Sequence, residues 1–541
     1  MIGMIINMLK IIPIHLPPYH IRSFPARLAL RGTTRITSRS DYPLTFRIPA
    51  RWERSYAHFA VQLKIMIAAP ATRAEGGAFD PDPQTVADWI GAARRYITTF
   101  MDGLEDAPAI GPDVPVNLVG RFTMPPPDEP GRFEVLLDTF AEAARYATET
   151  AGPRHFAYVP GGGLVSSAIA ELLASVVNRY TALATVAPGL VAMEQGVLRW
   201  LCTEFGQPPS AAGLVTTGAS MATLCVVAAV RQDRLGDDFR DGTIYVTEHT
   251  HRSMAKAARI AGIHPDQLRT VPVTPDLRMD AAAAARQIAA DRAAGLRPFL
   301  LVGTAGTTST GTVDPLLHLA ALARKEDLWL HVDAAYGGFF QLTQRGRDRL
   351  VGIESADSIA LDPHKGLFLP HGTGVLLVRD PGVLQAMFGE GGPYLRDIGA
   401  AGMLPNFADL GIELTREFRG LRLWLPLHLH GIAAFRDALD EKLDLAAYAH
   451  DELVRMKDVH VPWRPDLSTV AFRHVAGDNT TQRLLERIHA SERVLLSSTS
   501  VGGHSMLRMC VLSHRTHVEH VDDALEVIRD AAQRIPRSRP A

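Results

Sequence analysis

Between residues 190 and 380, short apolar runs alternate with stretches of helical period. The runs GLVTT, TIYVT, RTVPV, PFLLVGT, LWLHVDA, SIALD and TGVLLVR are separated by segments such as ASMATLCVVAAVRQ, AAAARQIAADRAA and DPLLHLAALARKED. Near-continuous apolar strands alternating with helices predict an α/β fold: a mostly parallel sheet buried on both faces.

The flanks read differently. TVADWIGAARRYITTFMDGL places Val86, Trp89, Ile90, Ala93 and Ile97 on one helical face. A Pro-rich connector runs to about residue 131, followed by a second amphipathic helix, FEVLLDTFAEAARYATET. Two helices on an extended arm cannot build a core alone, so residues 84–189 are expected to wrap another surface, such as a second subunit. After the large domain (190–425), residues 426–535 carry a long helix, the runs TVAFRHV, RVLLSST and SMLRMCVL, and a final helix EHVDDALEVIRDAAQRI. That order predicts a small α+β C-terminal domain.

Composition narrows the function. The 56 basic and 58 acidic residues leave a net charge of −2, which argues against a nucleic-acid or anionic-membrane binder working through bulk charge. Three cysteines, Cys202, Cys225 and Cys510, are too few and too scattered for a disulfide framework or a thiolate zinc site. No apolar run reaches the ~18–20 residues that cross a bilayer. These features lead to the expectation of a soluble cytoplasmic enzyme. The charge is uneven, however: residues 1–73 hold nine Arg and two Lys against Asp41 and Glu53. This Arg-rich, acid-poor leader (1–75) resembles a transit peptide. It reads as an extension with little fold of its own, with Met66 as an alternative start.

The chemistry concentrates where predicted strands end. In residues 358–366, SIALDPHKG, the pair Asp362-Pro363 ends a buried strand. Lys365 follows, where open α/β sheets place ligands. With no evident surface ion pair it is a candidate desolvated amine, suited to forming a Schiff base; a solvated loop lysine also fits that segment alone. In residues 328–338, LWLHVDAAYGG, Asp333 ends another apolar strand, a costly place for a carboxylate unless it meets a cation. The small Ala334 and Ala335 leave room for a flat ring. An Asp and a Schiff-base Lys are the pair that pyridoxal 5′-phosphate (PLP) requires. LVTTGASMAT offers Ala219 and Ser220 at a helix N-terminus for a phosphate, or simply as a cap. His251 and Thr308 follow two further strand candidates.

With WLHVDAAYGG and DPHKG in place, residues 84–535 resemble the group II PLP-dependent amino-acid decarboxylases, the aromatic-L-amino-acid, histidine, glutamate and cysteine-sulfinate decarboxylases. The fit is closer to the aromatic branch. The resemblance implies a fold-type-I, aminotransferase-like architecture, an amino-acid substrate losing its carboxyl as CO2, and a homodimer. It implies Lys365 as the lysine bonded to PLP, Asp333 at the pyridine nitrogen, and His251 stacked on the ring and catalytic. Ala219 and Ser220 would hold the phosphate, Thr308 would fix the cofactor beside Asp333, and Asp362 and His364 would flank it.

Two departures stand out. Much of the family has Asn three residues before the lysine, where this chain has Asp362; that side chain is expected to turn from the phosphate or to share a cation such as His364. The family's decarboxylases also carry a proton-donating tyrosine in the loop before LTREFRGLRLW. Here Phe407 falls near that place and Tyr394 precedes it. Members with Phe there tend to yield an aldehyde, so an aldehyde synthase or an aminotransferase is the alternative. Arg416 and Arg419 read as carboxylate ligands or as helix anchors. A rival of another class rests on the 21 histidines, with pairs at His249/His251 and His517/His520. It would be a metal-binding protein, although neither a third ligand nor an HExxH motif is present.

Overall fold

The structure, a computed structural model, describes residues 79–389 and 404–535, together with the two-residue strands Arg35–Ile36 and Leu44–Thr45, which pair antiparallel. The rest of the leader, Met66 and Tyr394 lie outside the described residues. Internal contacts group residues 1–91 apart from residues 92–541; both large sheets lie wholly in the second group.

All seven apolar runs form strands of one sheet: β1 (Ala212–Thr216), β2 (Gly242–Val246), β3 (Leu268–Thr270), β4 (Arg297–Thr304), β5 (Trp329–Asp333), β6 (Ser358–Leu361) and β7 (Gly374–Val378). Their order is β1-β7-β6-β5-β4-β2-β3. Strands β3, β2, β4, β5 and β6 run parallel, whereas β7 is antiparallel to both β6 and β1. The reversal is made by residues 362–373, which hold only the helical turn Pro363–Gly366 and bring β7 back beside β6. β1 therefore points the same way as the parallel strands. Helices Ala219–Leu235, Ala281–Ala293 and Leu316–Lys325 follow β1, β3 and β4, and the sheet is buried between its helices in one continuous apolar core.

A second sheet, β8 (Val459–His460), β9 (Thr469–His474), β10 (Ser497–Val501) and β11 (His504–Cys510), is antiparallel in the order β8-β9-β11-β10. Helices Asp478–His489 and Val518–Gln533 share its separate core. The long helix that leads there begins earlier than its apolar period suggested, at Leu421, and is broken at Gly431 (φ 75°, ψ 154°). The Pro-rich connector is not wholly extended either, since Val116–Phe122 is helical. On the arm, Ile97, Phe100, Val135, Leu136 and Phe140 remain exposed in this chain. No helix among the described residues is long and apolar enough to cross a membrane.

Candidate active site

Asp333 is the last residue of β5. It pairs in register with Ala360 of β6 on one side and Thr304 of β4 on the other. Its side chain is buried, and its Oδ1 accepts the Ala335 N–H at 3.1 Å. Among the described residues no cation pairs with it. The nearest basic side chain along the strand, His331, is buried, with Nδ1 2.9 Å from Ser358 Oγ. Burial pushes that imidazole down to about 4, so at neutral pH it carries no charge. A buried carboxylate left this way is expensive unless a ligand brings the cation.

Lys365 lies one strand over, in the helical turn Pro363–Gly366 that directly follows β6. The expectation that it has no acidic neighbour is corrected: its Nζ is 2.9 Å from Asp362 Oδ2. Asp362 does not turn away. It is buried, and its Oδ1 accepts the Ala219 N–H at 2.7 Å. Nor does it rely on His364, whose Nδ1 donates to the Thr373 carbonyl at 2.7 Å and stands 3.7 Å from Asp362. Burial lowers the His364 pKa, which makes it the poorer cation. The carboxylate took the lysine instead.

The other candidates follow strands of the same sheet. Ala219 and Ser220 open the helix after β1; Ser220 is exposed and no acidic residue stands in that first turn. Gly374 makes this turn possible, because a Cβ there would collide with the backbone of Gly218. His251 caps helix Arg252–Ile260 after β2: its Nδ1 accepts the Ser253 N–H at 3.3 Å, which leaves the ring proton on Nε2. His251 is exposed in this chain. Thr308, in the turn after β4, is also exposed, while its neighbour Thr307 is buried with Oγ1 2.9 Å from Thr310 Oγ1. The loop 160–163 closes against the lysine turn. A Cβ on Gly161 would strike the His364 carbonyl oxygen, and Leu164 N–H donates to Phe368 O at 2.7 Å.

Sequence reasoning passed over Arg508. It lies in β11 with 4% exposure and donates to the Thr308 carbonyl and, at 2.8 Å, to Ser497 Oγ. No carboxylate among the described residues pairs with it, and its Nε has no partner. Burial lowers its pKa, with Cys510, Tyr336 and Tyr158 as its ionisable neighbours. Cys510 in turn lies within electrostatic reach of Lys365. The signal was present in SMLRMCVL: an arginine inside an otherwise apolar strand.

Phe407 requires a correction. It does not project from a loop toward substrate; it is 1% exposed and packs in the main core. The chain around it is fastened to residues 182–184: Ala408 N–H donates to Ala182 O at 3.1 Å, and Asn406 Oδ1 accepts from Ala184 N–H at 3.0 Å. Arg416 and Arg419 are anchors. Arg416 is buried against Glu194, and Arg419 is clasped by Glu413 and Glu417. His517 and His520 are likewise engaged, with Glu441 and Glu105 respectively.

The donor set fits PLP on the structure's own terms. Among the described residues the buried Asp333 carboxylate has no cation, a helix N-terminus presents backbone N–H groups that already attract a carboxylate, that of Asp362, and an amine stands just past the end of the adjacent strand.

Residues 115–475 match the family model for the pyridoxal-dependent decarboxylase conserved domain. An aromatic-L-amino-acid decarboxylase of Bacillus atrophaeus is 33% identical over 398 residues, covering 72% of this chain and 83% of that protein. A phenylacetaldehyde synthase of Arabidopsis thaliana is 26% identical, covering 81% of this chain and 94% of that one. Among solved structures, that of Oryza sativa TDC with PLP and tryptamine superposes with a TM-score of 0.80 at 26% identity, covering 84% of this chain and 98% of that chain. With two thirds of its length matched, this chain belongs to the pyridoxal-dependent decarboxylase family.

Proposed function

We propose that this enzyme removes the α-carboxyl group of an aromatic L-amino acid as CO2, releasing the amine. One observation carries the reading: the buried Asp333 carboxylate has no cation among the described residues, and the Lys365 amine stands in the turn that ends the neighbouring strand. PLP supplies an aldehyde that condenses with amines and a pyridinium ring that takes up the electron pair released at the substrate's Cα. Lys365 is the amine that holds the cofactor. Asp333 keeps a proton on the ring nitrogen, a charge-assisted hydrogen bond worth about 1.5–3 kcal/mol. The amides of Ala219 and Ser220, with the Ser220 hydroxyl, take the phosphate. His251 covers the ring and holds a proton at Nε2. Thr308 and His364 support the cofactor's rim, and Arg508 offers the substrate carboxylate a fixed positive charge. The aromatic preference rests on the named relatives, and the homodimer on the apolar arm helices left exposed in this chain.

Phe407 lends no support to an aldehyde product, because its ring is buried in the core. Borohydride reduction of the PLP-loaded protein, followed by peptide mapping, should place the label on Lys365. Incubation with L-tyrosine, L-tryptophan and L-phenylalanine should then give amine and CO2 in equal amounts. Label on another lysine, or peroxide and ammonia matching the CO2, would refute the reading. Sedimentation at micromolar concentration should give the mass of a dimer.

A further inference from the structure

Asp362 touches both ends of the site. One carboxylate oxygen takes the Ala219 amide at 2.7 Å, and the other takes the Lys365 ammonium at 2.9 Å. The group is 4% exposed, so water screens it little. His364 faces the same carboxylate from 3.7 Å but spends its Nδ1 proton on Thr373. An amide that serves as an anion donor is therefore already addressed by a negative side chain of the protein itself. Two anions cannot both be held at one N–H in a low-dielectric pocket without strong repulsion.

We propose that Asp362 is a positioning residue that couples phosphate arrival to release of the lysine. Its carboxylate competes with the cofactor's phosphate for the Ala219 N–H, and it holds and aims the Lys365 amine until the phosphate displaces it. The proposal rests on the assignment of Ala219 and Lys365 to the cofactor made above. It explains why a carboxylate is kept beside an anion-binding turn, where an amide side chain would bind phosphate without repulsion. The residue acts as an internal competitor that opposes non-productive anions and yields to a ligand able to bond the lysine as well.

The test uses the full-length protein, stripped of PLP and reloaded, as wild type, Asp362→Asn and Asp362→Ser. Affinity for inorganic phosphate is read from its competition with PLP. Association rates are read for PLP and for pyridoxal, which has no phosphate. Loss of the charge should tighten phosphate binding and speed PLP association by roughly 10- to 100-fold, while pyridoxal, which meets the freed lysine but brings no phosphate, should gain clearly less, under about tenfold. Asp362→Ser, smaller and also neutral, should move the same way, which separates charge from packing. Unchanged phosphate affinity in both variants, or equal acceleration of PLP and pyridoxal, would overturn the proposal. Failure of borohydride to label Lys365 in the wild type would overturn the site assignment itself.

Discussion

The guanidinium of Arg416 lies 4.7 Å from the centre of the Phe407 ring. Arg416 is paired in turn with the buried Glu194, and its Nη2 donates to the Val215 carbonyl of β1 at 3.0 Å. The segment that begins at residue 404 is thus tied to the large sheet through an aromatic ring, a cation and a carboxylate. Phe407 cannot swing toward substrate without breaking that stack.

A product-switching role for this position is therefore not expected. Phe407→Tyr should leave the ratio of amine to aldehyde unchanged, as measured by peroxide and amine yields from one substrate. Phe407→Ala should cost about 3–5 kcal/mol of stability through the cavity it opens. A rise in amine fraction on introducing the tyrosine would show that the ring does reach the chemistry.

Asp333→Asn keeps the shape of the side chain and removes its charge. Loss of the charge-assisted bond to the ring nitrogen should weaken PLP binding by roughly 10- to 100-fold. It should lower kcat further still, because the ring then takes up electrons less readily. Cofactor titration and steady-state kinetics on the same preparation measure both. A kcat near wild type would remove Asp333 from the mechanism.

Much of this was legible from the sequence because the strands are buried on both faces. An apolar run such as PFLLVGT has few other uses; Asp333 was marked by the cost of burying charge at the end of its run, and Lys365 by its place just beyond another. What the sequence hid depends on contacts between distant segments. Asp362 sits three residues from Lys365, but only the helical turn Pro363–Gly366 brings the two side chains together. Phe407 was misplaced because loop length was read without the anchors at Ala182 and Ala184. The direction of β7 emerges only once β6 has a place in the sheet.

Gly161 has no room for a side chain against the lysine turn. Gly161→Ala must push the His364 carbonyl away, a strain of about 1–3 kcal/mol, and Lys365 is the next residue. The variant should keep its circular dichroism spectrum yet lose PLP on dialysis faster than wild type. Equal retention would show that loop 160–163 can recede without moving the lysine.

Arg508 is a buried charge that awaits an anion. Arg508→Gln keeps donors for Thr308 O and Ser497 Oγ while removing the charge. It should raise KM by roughly tenfold or more, the worth of a charged hydrogen bond, and affect PLP affinity less. Kinetics at saturating PLP check this. A change confined to thermal stability would assign Arg508 to packing alone.

Three buried imidazoles give stability a pH dependence of defined sign. Burial holds His155 and His331 at about 4 and His514 at about 3, against 6.5 for an ordinary solvated imidazole. Between those limits the unfolded chain binds protons that the folded one refuses. Stability is therefore full above pH 6.5 and falls as the pH drops toward 4, each histidine withdrawing about 1.4 kcal/mol per pH unit. Asp314 opposes this: burial raises it to about 6, so its carboxylate destabilises the fold as pH rises from about 4 to 6. Asp357, also raised by burial, opposes with it, but burial lowers His249 and His364 as well, so the balance is a net loss on acidification. Denaturant melts between pH 7 and 4.5 should show falling stability, and His331→Gln, which removes one of the three, should flatten the slope. A slope unchanged in that variant would mean that His331 titrates alike in the folded and unfolded chain.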